Sequence, residues 1–194
     1  DPLVRVGIRY FRNHFMKNFL SRLRLIDKMV TEVSVPRDQF AKKFRSLVDE
    51  GSLDVIFSTF EAFDSSKNEY KGHVGIADFK IRRRRKLFDT RGGLAIATGT
   101  FRENGNELVI ETEVSAMTGF LIFFYSIALL VYLGFIIAIV SGVSDNFVFL
   151  PFIILHAAFM LGIPYFVMRR AVKTMKYDLE RELHYIASVV ERRS

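Results

Sequence analysis

Two long apolar stretches near the C-terminal end dominate the hydropathy pattern of the chain. Residues 119–140 and 147–168 contain no Lys or Arg, and a short polar segment at 141–146 separates them. As a helix, each stretch would measure about 33 Å and would cross a hydrocarbon core of roughly 30 Å. The pattern therefore predicts a transmembrane hairpin over residues 118–168. The alternative is a buried hairpin in a soluble core, but too little chain remains to cover two such helices.

The pattern before the hairpin changes from strand to helix and back. Residues 29–35 alternate apolar and polar side chains and predict a strand, and Pro36 then opens a predicted helix that Gly51 closes. Residues 53–63 fit either a further strand or a continuation of that helix.

Two predicted β-hairpins follow. Residues 70–74 and 79–83 form the first, and residues 94–101 and 108–114 form the second, around Asn104-Gly105. This dipeptide is favoured in tight turns because both residues tolerate positive φ. A strand, a helix and a small antiparallel β-meander together predict an α+β fold class.

The predicted α+β domain spans residues 29–117. One amphipathic helix is predicted before this domain, and another is predicted after the hairpin. Residues 1–28 predict a basic amphipathic helix that lies on a membrane, on a partner or on its own domain. Residues 169–194 predict a C-terminal amphipathic helix whose apolar seam is Val172, Met175, Leu179, Leu183, Ile186 and Val190. The seam needs a cover, and the candidates are the N-terminal helix, the meander and another protein.

Charge gives the hairpin an orientation. The net charge is +7, and residues 169–194 contribute +3 of it, whereas the segment 141–146 carries one acid and no base. Positive residues near the ends of membrane helices stay on the cytoplasmic side, so both termini are expected to be cytoplasmic. The residues that follow the second apolar stretch, and that are also expected to bind anionic lipid, are Arg169, Arg170, Lys173 and Lys176. The charge does not predict nucleic-acid binding, because no nucleic-acid motif accompanies it.

The strongest run of charge is at residues 82–86, which are all Arg or Lys. Alternate side chains of a strand face opposite ways, so Arg82 and Arg84 are the pair expected to contact anionic lipid or a partner. The alternative is an exposed edge strand that its charge protects from aggregation.

His156 is the candidate intramembrane polar residue, since it lies near the middle of the second apolar stretch. It fits a proton relay, or a structural hydrogen bond to Tyr125, Ser126 or Tyr132. The four histidines lack metal-ligand spacing, and the absence of Cys excludes disulfides and thiolate metal sites. We therefore expect no metal, no cofactor and no catalytic residue.

The stretch Tyr70-x-Gly72-x-Val74-x4-Phe79-x-Ile81-x-Arg83, followed by a meander and two apolar helices, resembles an uncharacterised bacterial membrane-anchored family. The similarity covers about residues 31–170. Its relatives have an aromatic-Arg-Asn segment where this chain has residues 87–89. The resemblance implies a bacterial inner-membrane location and no enzymatic activity.

Three functions follow from these patterns. The first is a non-enzymatic, two-pass accessory or assembly subunit of a larger membrane complex, with protein partners and lipid bound by its cytoplasmic domain. The alternative is an effector whose hairpin permeabilises the membrane when the soluble domain is triggered. A membrane-bound enzyme would need a catalytic cluster from distant residues such as His73, Asp78 and Glu111.

Overall fold

The computed structural model divides into two compact units, which are described separately. One unit contains residues 1–116 and 169–194, and the other contains Met117–Met168. The residues that the structure describes are 17–53, 68–84, 93–105, 107–116, 119–141 and 150–192. The predicted N-terminal helix lies outside these residues up to position 16, and residues 17–22 are helical.

The first unit is built on a six-stranded sheet, as its α+β pattern predicts. The strands are β1 (Ile26–Val33), β2 (Val48–Glu50), β3 (Tyr70–Val74), β4 (Asp78–Arg83), β5 (Ile96–Asn104) and β6 (Glu107–Ser115). Their order is β1-β6-β5-β4-β3-β2, and all neighbours are antiparallel except β2 and β3. The meander β3–β6 is confirmed.

The second hairpin turns where the sequence predicts. Gly105 has φ +64, so the Asn104-Gly105 turn uses the conformational freedom of glycine. On β6 the side chains of Leu108, Ile110, Thr112 and Val114 are buried. They alternate with more exposed residues, so this strand covers the core with one face only.

Helix α1 (Arg37–Arg45) is shorter than predicted. It begins after Pro36, but it ends six residues before Gly51 because the chain turns there into the short strand β2. Val48 is buried and pairs with Tyr70, so the sheet, not a longer helix, covers this apolar side chain. Strand β1 also begins at Ile26, earlier than the predicted residue 29.

A cluster of four aromatic rings joins α1 to the sheet. The Phe44 and Phe79 ring centroids are 5.2 Å apart, those of Phe79 and Phe101 are 5.3 Å apart, and those of Phe40 and Phe101 are 5.9 Å apart. All four side chains are buried. The edge-to-face pairs add to the area that the rings bury and fix α1 on one face of the sheet.

The predicted C-terminal helix is the second part of a longer helix, α3 (Leu150–Glu191). All six seam residues from Val172 to Val190 are buried. Lys176 contacts Asp27 and the carbonyl oxygen of Lys28 on β1, and Asp178 contacts Arg83 of β4. The sheet, from β1 to the meander strand β4, therefore covers the seam. Arg83 and Phe79 point to the same face of β4, so α1 and α3 cover one face together.

The position of Gly72 on β3 is suited only to glycine. Its φ is +149, and a Cβ atom would meet the carbonyl oxygen of Lys80 and lie 2.8 Å from the Cα atom of Ile81. We expect Gly72→Ala to lower the free energy of unfolding by about 3 kcal/mol, through strain and displacement of β4. Thermal unfolding of the detergent-solubilised protein, followed by circular dichroism, measures this loss.

Gly105→Ala is the matched control for that variant. Gly105 also has positive φ, but a Cβ atom there would meet nothing within 4 Å. We expect a loss of about 1 kcal/mol from the backbone alone. Equal losses in the two variants would contradict the assignment of a β3–β4 clash to Gly72.

The second unit contains two apolar helical segments, α2 (Gly119–Val140) and the beginning of α3. α2 has the bounds of the first predicted stretch, and α3 begins at Leu150, with residues 142–149 outside the described part. The most apolar windows have mean hydropathies of 2.6 and 1.9, and none of either window is buried. Both helices are long and apolar enough to cross a membrane, which is consistent with membrane association.

Candidate functional site

An open cleft of about 440 Å³ in the first unit collects most of the predicted basic residues of α3. Arg169, Lys173 and Lys176 line it, together with Arg24 from the residues that precede β1. Asp27 is the one acid among the described residues that line it. Arg170 is exposed on α3 and does not belong to this lining. The structure thus brings together three of the four predicted cations and adds a fourth from a distant part of the chain.

Two of the cations have defined contacts. Lys176 Nζ lies 3.0 Å from Asp27 Oδ2 and donates to the carbonyl oxygen of Lys28 at 3.3 Å. Lys173 Nζ lies 5.9 Å from the centre of the Tyr177 ring, within the range of a cation–π contact. Since Asp27 offsets one charge, the described lining keeps an excess of three positive charges and is suited to an anion.

Arg24 reaches the cleft from an unusual backbone position. Its φ is +56, the only positive φ among the described residues other than glycine. The Leu25 amide donates to the Leu20 carbonyl oxygen and the Arg24 amide donates to the Ser21 carbonyl oxygen, each at 2.9 Å. This is the Schellman motif that ends a helix, and its left-handed residue is usually glycine.

The structure contradicts both predictions for Arg82 and Arg84. The two side chains are 0% and 5% exposed, so neither is a surface contact for lipid headgroups. β4 is also not an edge strand, because β3 and β5 pair with its two sides. A run of basic residues can be buried when acidic side chains are packed against it, as Asp49 is packed against Arg84.

Arg83 and Arg84 belong to a partly buried ionic network. Arg83 Nη1 donates to Asp178 on α3, and Arg83 Nη2 donates to Glu69 Oε2 at 3.2 Å. Arg84 Nη1 donates to Asp49, which also accepts a bond of 2.7 Å from Asn68. The network joins β4 and Arg84 to α3, to β2 and to the residues that precede β3, and it is a structural element of the first unit.

Burial, together with nearby acidic groups, raises the pKa of two neighbours of this network. Burial raises the pKa of the Tyr70 hydroxyl, and Glu182 and Asp178 raise it further, so the hydroxyl stays protonated at neutral pH. Burial also raises the pKa of Glu182, with a further contribution from Glu69. Since the ionised form of Glu182 is disfavoured in the folded state, its ionisation costs stability as the pH rises through its ordinary range.

Two hydrogen bonds join the two helices of the apolar unit. Tyr132 Oη and His156 Nδ1 are 2.8 Å apart, and Tyr125 Oη donates to the Leu161 carbonyl oxygen at 3.0 Å. The later residue of α2 contacts the earlier residue of α3, which is the antiparallel arrangement. Ser126 donates to the carbonyl oxygen of Ile122 within its own helix. Tyr132 is therefore the partner of His156 among the three candidates.

His73 and Glu111, two of the residues named for a catalytic cluster, contact different partners. His73 Nδ1 is 3.2 Å from Glu50 Oε1, whereas Glu111 Oε1 is 3.4 Å from Arg102 Nη1. These contacts do not join His73 and Glu111 in one site. Within the described ranges, no group of three or more His, Asp or Glu residues could hold a metal ion.

No pattern in the sequence predicted that residues 21–27 contribute to the cleft. Ser21, Arg24 and Asp27 all line it, but the pattern assigned them to the basic helix and its end. The available signal was local: an apolar helical pattern ended without a Gly or Asn before β1, with an Arg in that place.

The residues of the family-like motif have structural roles in β3 and β4. Gly72 allows the close approach of β4, Phe79 belongs to the aromatic cluster, and Arg83 anchors α3. The motif can therefore arise from packing alone. Comparisons with protein-family models, curated proteins and solved structures found no match.

Proposed function

We propose that the chain is a non-enzymatic protein that a two-helix transmembrane hairpin anchors in the membrane, as an accessory or assembly subunit of a larger membrane complex. Its α+β unit stands at the cytoplasmic surface and binds lipid or a partner protein there. The observation that carries this proposal is the exposed apolar surface of α2 and of the beginning of α3.

That surface is too large for a protein in water. Leu130 and Phe152 are each 67% exposed, Phe166 is 64% exposed and Val140 is 81% exposed, within windows of which nothing is buried. Each such side chain would gain about 1.5–3 kcal/mol from leaving water, so a bilayer or another apolar partner has to cover the two helices.

The hydrogen bonds of the apolar unit fit a lipid surrounding. Polar groups inside a bilayer are costly unless they have partners, and Tyr125, Tyr132 and His156 have theirs within the hairpin. Bonds of this kind between membrane helices contribute about 0.6–2 kcal/mol each. They hold the two helices as a pair, and pairing favours a structural role for His156 over a proton relay.

The covered seam limits where a protein partner binds. Leu179, Leu183 and Ile186 are 0% exposed, so this face of α3 is not available to another chain. Among the surfaces of the described residues, the lipid-facing surface of the hairpin and the exposed face of the sheet remain open to a partner. Val30 on β1 is 61% exposed and lies on that second surface.

Cysteine labelling tests the topology directly, because the chain contains no cysteine of its own. We expect a single cysteine at Asp145 to react with a membrane-impermeant maleimide only from the side opposite the domain, since Arg169 and its basic neighbours stay cytoplasmic. Lys42→Cys, at an exposed position of α1, is the matched control. It should react from the cytoplasmic side only.

Sealed inside-out and right-side-out vesicles separate the outcomes of that experiment. Labelling of both cysteines from the same side would contradict a two-pass hairpin, and release of the protein by alkaline carbonate would contradict membrane anchoring altogether. Labelling of the Asp145 position from the cytoplasmic side and of the Lys42 position from the opposite side would support the anchor but reverse its orientation.

A further inference from the structure

We propose that the cleft between residues 21–27 and the beginning of the domain part of α3 binds the phosphate group of an anionic phospholipid. The inference rests on the proposed membrane anchor and makes the lipid contact specific. The ligand is one headgroup that named cations hold, and not a diffuse layer of lipid attracted to the whole C-terminal helix.

The charges of the cleft come from two separate parts of the chain. Arg169 and Lys173 are one helical turn apart on α3, and Arg24 lines the same cleft from the residues before β1. An arginine guanidinium can donate two parallel hydrogen bonds to phosphate oxygens, and a lysine adds a point charge. Ser21 adds a hydroxyl to the same lining. These donors match a phosphate diester better than a carboxylate, which has fewer oxygens to satisfy.

Lys176 holds the shape of the cleft. Its ion pair with Asp27 and its bond to the Lys28 carbonyl oxygen tie α3 to the start of β1. The one acid of the described lining is thereby turned toward a lysine. The remaining cations, Arg24, Arg169 and Lys173, are then available to a ligand.

The backbone of Arg24 is an independent argument for a ligand. The left-handed position of a Schellman motif favours glycine, and a side chain there is strained. Strained residues often occur where a side chain has a functional task. An arginine in this position costs stability, yet it adds a cation to the lining of the cleft.

The position of the cleft along the chain identifies a lipid as the source of the phosphate. Arg169 directly follows Met168, the last residue of the apolar unit. In an anchored protein, residues within two helical turns of a span lie in the headgroup layer, where anionic lipid is concentrated. Long basic side chains reach headgroups there while their aliphatic stems stay along the helix.

Native mass spectrometry of the detergent-solubilised protein tests the site, with phosphatidylglycerol, phosphatidylcholine and inorganic phosphate as three separate probes. We expect one phosphatidylglycerol to bind more tightly than phosphatidylcholine. Arg24→Gln and Lys173→Gln should each weaken that binding about fivefold, as the loss of one charge near a headgroup predicts. Lys42→Gln and Lys80→Gln remove the same charge from exposed positions elsewhere and should change nothing.

Arg24→Gly separates a binding role from a structural role. Glycine suits the backbone, so the melting temperature should not fall, while phosphatidylglycerol binding should weaken about fivefold. A lower melting temperature with unchanged binding would show that Arg24 is structural and would overturn the proposal.

The remaining outcomes distinguish this inference from the proposed function. If inorganic phosphate competes as well as the lipid, the site binds a free anion and the lipid assignment is wrong. If the protein resists carbonate extraction but the Arg24 and Lys42 variants bind phosphatidylglycerol equally, the anchor stands and the specific cleft fails. If carbonate extracts a protein that still binds phosphate, the anchor fails and the anion site stands.

Discussion

Replacing Leu183 with Asp is expected to prevent the α+β unit from folding. Leu183 is 0% exposed in the middle of the seam that α3 places on the sheet. Truncation of such a side chain to Ala costs about 2–5 kcal/mol, and a carboxylate adds several kcal/mol of desolvation. The total approaches the 5–15 kcal/mol that a domain has available.

His184→Asp is the matched control for Leu183→Asp. The neighbouring side chain is exposed, so the same new charge stays in water there and should change the free energy of unfolding by less than about 0.5 kcal/mol. Limited proteolysis and the strand signal in circular dichroism report folding of the unit. A folded Leu183→Asp protein with native protease resistance would show that α3 does not pack on the sheet.

Replacing Asp178 with Ala is expected to lower the free energy of unfolding by about 3 kcal/mol. The side chains of Arg83 and Asp178 are 11% and 16% exposed, so loss of the carboxylate leaves a guanidinium in a site with little water. Glu69 remains as a partner at 3.2 Å, and it limits the loss. Chemical denaturation of the solubilised protein measures the change.

Arg181→Ala is the control for the ion pair. Arg181 also contacts Asp178, at 3.6 Å, but its side chain is 76% exposed, and such pairs contribute at most about 1 kcal/mol. The double variant Arg83→Met with Asp178→Ala should lose less than the sum of the two single variants, because it leaves no buried charge behind. Strictly additive losses would mean that the two groups do not interact.

Local patterns predicted much of the fold because they act over few residues. The Asn104-Gly105 turn and the alternation along β6 follow from backbone geometry and from one buried face. The bounds of α2 follow from the length of the apolar stretch alone. The end of α1 was predicted wrongly. Val48 also fits the apolar face of a helix, and only its pairing with Tyr70 makes it part of a strand.

The site could be predicted only where it is local. Arg169, Lys173 and Lys176 share one helix, so spacing was enough to group them, whereas the approach of Arg24 depends on how the chain returns to the sheet. The predictions for Arg82 and Arg84 failed for the same reason. Their charge is visible in the sequence, but the strand that pairs with β4 at Arg82 and the acid that pairs with Arg84 are distant along the chain.

The α+β unit contains residues from both sides of the apolar unit, and this has a consequence for biosynthesis. The 52 residues of Met117–Met168 have to be translated before the first residue of the domain part of α3. At roughly 5–20 residues per second, translation of that segment takes about 3–10 s. During this interval the nascent sheet lacks α3, so the part of its apolar face that α3 covers stays exposed. The domain can therefore finish folding only after the whole apolar unit has been translated.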